Sequence, residues 1–157
     1  MWEAVFYTEV IYWCAAIVCL LSIFYIDATK NIIPDRFVYP LFLVTVLRNH
    51  IQDFLAERLL FALIIFVVVY VSIIVTKNKA FGGGDLKLIT LIAFMLGFPK
   101  GLYALYIGFF LATLYFFFVA FVVKEKVKEI PLGPFLVIGF VASFALYYFN
   151  YLMAGVI

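Results

Sequence analysis

Two aspartates, Asp27 and Asp85, stand where long apolar runs of this chain break off and resume. A carboxylate so near hydrocarbon must be solvated, partnered or held neutral, because an isolated buried charge is costly. Asp85 follows three glycines in Phe81-Gly82-Gly83-Gly84-Asp85-Leu86-Lys87-Leu88, and Asp27 precedes a turn that contains Pro34. Taken alone, Asp85 has an ordinary structural account, since Asp caps helices and Gly-rich stretches connect them. A second acid in a matching place has no such account. Two carboxylates on one membrane face are what an aspartyl protease requires.

The expected surroundings of the two acids differ. Asp85 starts a helix, so backbone N–H groups and the positive end of the helix dipole favour its ionised form. Asp27 ends a long span, where the dipole presents its negative end and the neighbours Tyr25 and Ile26 disfavour charge. That asymmetry suits a pair in which one carboxyl is protonated and the other takes a proton from water. The assignment it suggests has Asp85 activating water and protonated Asp27 polarising the scissile carbonyl, with the reverse left open because a coupled pair shares its proton. Gly82, Gly83 and Gly84 lack Cβ atoms, permit positive φ and let an extended peptide approach Asp85. Lys87 either keeps the local potential positive or snorkels to the interface. Asp35, after Pro34, is a first-turn residue of the next helix and the third candidate acid.

The elements that must position these groups are membrane helices. The 157 residues are 69% hydrophobic and 13% charged, and the apolar residues come in long runs rather than at amphipathic spacing. This excludes an ordinary soluble domain and gives no basic surface for nucleic acid. The expected fold is all-α: one membrane-embedded domain over residues 1–157 with about six spans, at 5–26, 35–48, 59–76, 86–98, 101–123 and 133–156. The first span lacks a basic start and a cleavage site, so it is expected to be retained. The second and fourth are short, reaching roughly 20 Å against a hydrocarbon core of about 30 Å, so each needs a thinned bilayer or the shelter of its neighbours. Both follow an acidic stretch, which places irregular backbone and acids near a shared, water-filled cavity.

Loop charges orient the chain. Lys30, Arg36, Lys77, Lys79, Lys87, Lys124, Lys126 and Lys128 fall on one side, and Arg48, Arg58 and Lys100 on the other, a split of eight to three among eleven basic residues. The first side is cytoplasmic by the positive-inside rule, which puts both termini outside and both acids at the cytoplasmic face. Cys14 and Cys19 are expected to be packing residues, His50 a polar loop residue, and no metal or cofactor is implied. Gly108 and Ala112 in the fifth span, with Gly139, Ala142 and Ser143 in the sixth, form small faces for close helix packing. The run Lys124–Glu129 is a solvated loop or helix end. The 31 Phe and Tyr residues face lipid, pack, or line a groove for an apolar substrate helix.

Three segments resemble the type IV prepilin peptidases, membrane aspartyl proteases of the GxGD group. They are Asp27-Ala28-Thr29-Lys30-Asn31-Ile32-Ile33-Pro34-Asp35, Gly82-Gly83-Gly84-Asp85-Leu86-Lys87-Leu88, and Ile130-Pro131-Leu132-Gly133-Pro134-Phe135-Leu136. The resemblance implies Asp27 and Asp85 as the catalytic pair. It also implies pilin-like or pseudopilin precursors as partners, their short basic leader removed at the cytoplasmic membrane face. Many bacterial members also methylate the new N-terminus and carry a cytoplasmic insertion ahead of the first catalytic Asp; here one span precedes Asp27, so cleavage without dependable methyl transfer is expected. Two other readings compete: a presenilin-like protease cutting inside membrane helices, and a small transporter or channel using Asp27 and Asp85 as proton or cation sites. Oligomeric state is not readable from the sequence.

Overall fold

The computed structural model describes residues 2–51, 53–77, 82–123 and 131–154. Phe81, Lys79 and the charged run Lys124–Glu129 lie outside the described residues. The described chain is helical: α1 (Trp2–Lys30), α2 (Asp35–Ile51), α3 (Leu55–Val75), α4 (Gly83–Leu96), α5 (Lys100–Phe118, continued by a π-helical turn over Val119–Val123) and α6 (Leu132–Ala154). Six helices thus stand where six spans are expected. Among the described residues, three carry segments long and apolar enough to cross a membrane: Tyr7–Lys30, Leu55–Val75 and Lys100–Phe121. Leu132–Tyr147 forms a shorter apolar helix. The molecule is an all-α polytopic membrane protein.

The hub is α4. Leu88, Ile89 and Leu91 through Leu96 are all buried, so from Leu88 onward this 14-residue helix is enclosed by its neighbours and has no lipid-facing stripe. It packs against α2, α3, α5 and α6. Shelter by neighbours, one of the two remedies expected for a short span, is thus provided for α4. In α3 the pattern inverts: Leu59, Leu60, Leu63, Ile64, Val67 and Val68 are exposed, the surface a bilayer would cover. The small faces meet as expected. A Cβ on Gly139 would collide with the carbonyl of Ala104 and the backbone of Gly108, so α5 and α6 approach at backbone distance. On the other side of α6, the rings of Trp13 and Phe144 stand 4.8 Å apart and tie it to α1.

Two helix ends differ from the sequence expectation. α1 does not stop at residue 26 but continues through Asp27 to Lys30. Asn31 ends it with φ of 50° and an N–H donated to the Asp27 carbonyl at 2.8 Å, the left-handed position at which Asn is tolerated. Pro34 then prevents immediate resumption. The irregular segment is therefore Asn31–Pro34, shorter than the Asp27–Pro34 stretch expected. α4 begins at Gly83 rather than after Asp85 and stops at Gly97, whose φ of 68° suits glycine alone.

A partly buried polar cluster closes the end of the bundle remote from Asp27. Arg48 pairs with Glu9 at 2.7 Å and lies over the rings of Tyr12 and Trp13. Arg58 donates to Asn49 Oδ1 at 2.8 Å and to the Met95 carbonyl at 3.0 Å, while Asn49 Nδ2 reaches the Phe94 carbonyl at 3.4 Å. The last carbonyls of α4 thus find donors, and a cation stands at the negative end of its dipole. A short helix can end inside the bundle on those terms.

Candidate active site

Asp27 sits in the last turn of α1 and is 3% exposed. Asp85 sits in the first turn of α4, where its Oδ2 accepts the Gly82 N–H at 3.0 Å. Both acids line one cavity of about 460 Å³, together with Asn31, Ile32, Ile33, Pro34, Asp35, Gly82, Gly84 and Lys87. Their sequence separation is spanned by α2 and α3, which return the chain to the same end of the bundle. The structure brings together Asp27, Asp85, Gly82, Gly84 and Lys87 of the expected site. Gly83, in the same turn, is not among the cavity residues, and among the described residues nothing lies within 4 Å of where its Cβ would stand.

The glycines act differently from expectation. None of the three has a positive φ: Gly82 is extended, with φ of −84° and ψ of 164°, and caps the helix that Gly83 and Gly84 enter. Asp85 is consequently the third helical residue, not the cap, and its carboxylate bonds back to the Gly82 N–H as in one half of a capping box. Gly84 is needed for space. A Cβ there would stand 3.1 Å from Ile33 Cβ, so the α1–α2 linker rests directly on the first turn of α4.

Lys87 neither snorkels alone nor leaves its charge unpaired. Its Nζ contacts Asp35 Oδ1 at 2.7 Å and Oδ2 at 2.9 Å and lies 5.4 Å from the Tyr39 ring centroid. Asp35, the third candidate acid, is thereby paired with a cation, whereas Asp27 and Asp85 accept backbone N–H groups. This ion pair and the Ile33–Gly84 contact fasten the same two segments, the linker behind Asp27 and the turn that carries Asp85.

Electrostatically, burial pushes the Asp85 carboxyl above its ordinary value, the Gly82 N–H opposes that, and the nearby Asp27 charge adds to the rise. The sequence expectation that helix-start N–H groups leave Asp85 readily ionised is thus reversed in net direction. Desolvation outweighs one hydrogen bond. Asp27 does not face the α1 dipole alone, because the Gly133 N–H, in the first turn of α6, donates to its Oδ2 at 2.8 Å. Gly133 lies in the third of the segments that resemble the prepilin peptidases, but its place beside Asp27 is not among the expected site residues; a glycine between Leu132 and Pro134 at a helix start is the signal the sequence holds. Among the described residues no group of three or more His, Cys, Asp or Glu converges as a metal site.

A helical membrane bundle whose two separated acids share a cavity is the general class that fold and site define. Residues 14–117 match the type IV leader peptidase family, two-thirds of the chain, and the protein belongs to that family. Over 131 residues it is 29% identical to the prepilin leader peptidase/N-methyltransferase of Vibrio cholerae serotype O1, covering 80% of this chain and 51% of the relative. The chain therefore spans about half the length of that curated relative. No solved structure matches.

Proposed function

We propose that residues 1–157 act as a membrane aspartyl endopeptidase that removes the short basic leader of prepilin-like precursors at the cytoplasmic membrane face. The observation that carries this reading is the shared cavity: Asp27 from α1 and Asp85 from α4 line it together. Membership of the type IV leader peptidase family supports the reaction class, and the name of the Vibrio relative supports prepilins as substrates.

In this scheme the dyad holds one proton between its two carboxyls. The ionised carboxyl takes a proton from water as the water oxygen attacks the scissile carbonyl carbon, and the protonated carboxyl donates a hydrogen bond to the carbonyl oxygen. Collapse of the tetrahedral intermediate breaks the C–N bond as a proton passes to the departing amine. The leader residue keeps a carboxylate and the mature chain a free N-terminus. A substrate helix must be extended at the bond that is cut, and Gly82 and Gly84, which line the cavity beside Asp85, carry no side chains to obstruct such a segment. The test is mass spectrometry of a panel of pilin-like precursors incubated with the purified protein in lipid, beside Asp27→Asn and Asp85→Asn. Cleavage at the leader boundary, lost in both variants, supports the proposal. Intact precursors throughout would sink it, as would full activity in either variant.

A further inference from the structure

The segment matched to the family ends at residue 117, ahead of α6, yet α6 supplies a hydrogen-bond donor to the Asp27 carboxyl. Three observations converge on Gly133. Its N–H donates to Asp27 Oδ2 at 2.8 Å across 106 residues of sequence. A Cβ at Gly133 would lie 2.6 Å from that same oxygen, closer than real Cβ atoms come, and 3.0 Å from Asp27 Cγ. Asp27 itself is 3% exposed, so its carboxyl has little freedom to move aside. Gly133 is held in turn by the rest of α6: Gly139 meets the backbone of α5, and Phe144 meets Trp13 of α1.

We propose that Gly133 is a positioning residue for Asp27. Its N–H anchors Oδ2 and its missing side chain makes the anchorage possible, so that Oδ1 is the oxygen left for water or for the scissile carbonyl. The last helix thus completes the site, although it brings no reacting group of its own. Asp27 is oriented by α6, and Asp85 by Gly82 at the start of α4. Each carboxyl therefore keeps one oxygen on a backbone N–H, and productive alignment of the pair depends on α6 being docked.

This rests on the protease reading for its kinetic arm but not for its structural arm. Gly133→Ala is expected to lower kcat at least about 100-fold, the cost of a small misplacement of a reacting group, with KM within about threefold of wild type. Thermal unfolding in lipid of the wild type, Gly133→Ala, Asp27→Ala and the double variant forms a cycle that needs no substrate. If Gly133 acts through Asp27, Gly133→Ala lowers the Tm of the wild type, and that loss shrinks by at least half once the Asp27 side chain is gone. Should Gly133→Ala alone fail to fold, recovery of a folded double variant gives the same support. Additive Tm losses, two unfolded variants, or a kcat within threefold of wild type would each overturn the proposal. A wild-type protein that cuts no precursor removes the protease reading and leaves the Tm cycle to decide Gly133.

Discussion

Asp85 and the three glycines before it behave differently once folded, and each difference is measurable. Burial raises the Asp85 carboxyl, so its base form is reached only at higher pH than for a free aspartate. The sign follows directly: a raised carboxyl keeps its proton as pH climbs through the ordinary range near about 3.9, and activity that needs the carboxylate rises later. The acid limb of kcat/KM for precursor cleavage is therefore expected above that ordinary value, and a limb at or below it would contradict Asp85 as the base. Among the glycines, Gly84→Ala forces a Cβ against Ile33 and is expected to cost about 1–3 kcal/mol of stability. Gly83→Ala meets nothing among the described residues and is expected to stay within about 0.5 kcal/mol of wild type by thermal unfolding in lipid.

α4 carries the consequences one level up. It is short because its two ends are closed by different devices, Gly82 with Asp85 at one and Gly97 with Arg58 and Asn49 at the other. Removing Arg58 leaves Asn49 Oδ1 and the Met95 carbonyl without that donor inside the bundle. Arg58→Ala is accordingly expected to cost about 2 kcal/mol or more, read from thermal unfolding. The Lys87–Asp35 pair is of another kind, with side chains 39% and 49% exposed, so it contributes little to global stability. Its value lies in fastening the linker to α4. Exchanging the charges with Asp35→Lys and Lys87→Asp together is expected to retain more cleavage than either single reversal, and equal losses in all three would remove that role.

At the scale of the whole molecule, the polar groups separate to opposite ends. Glu9 and Asp27 lie 18 positions apart (27 minus 9) on one continuous helix, roughly 27 Å at 1.5 Å per residue. The Glu9–Arg48–Arg58 cluster and the acid-lined cavity therefore occupy opposite ends of the bundle. In a background with Cys14 and Cys19 replaced, Lys77→Cys is expected to react with an impermeant maleimide only from the cytoplasmic side, and Asp53→Cys only from outside. Both positions are exposed. The reverse pattern would place the cavity on the wrong face for leader removal.

Long apolar runs, the lysine asymmetry and two membrane-edge acids were legible in the chain, because hydrophobicity and charge act on each segment independently of its partners. From them came the helix count, an all-α membrane fold and the expectation that Asp27 and Asp85 share one cavity. Helix ends were legible less well: Asn31 and Gly82 stop and start helices through backbone conformation and hydrogen bonds that composition does not weigh. What only the tertiary structure decided is which groups touch across the bundle. The Gly133 N–H on Asp27, Ile33 against Gly84, Lys87 on Asp35 and Arg58 on the last turn of α4 join residues that no local period connects. Burial decided the direction of Asp85 as well. Desolvation depends on what surrounds the carboxyl in space, whereas the helix-start preference visible in the sequence depends only on its own backbone.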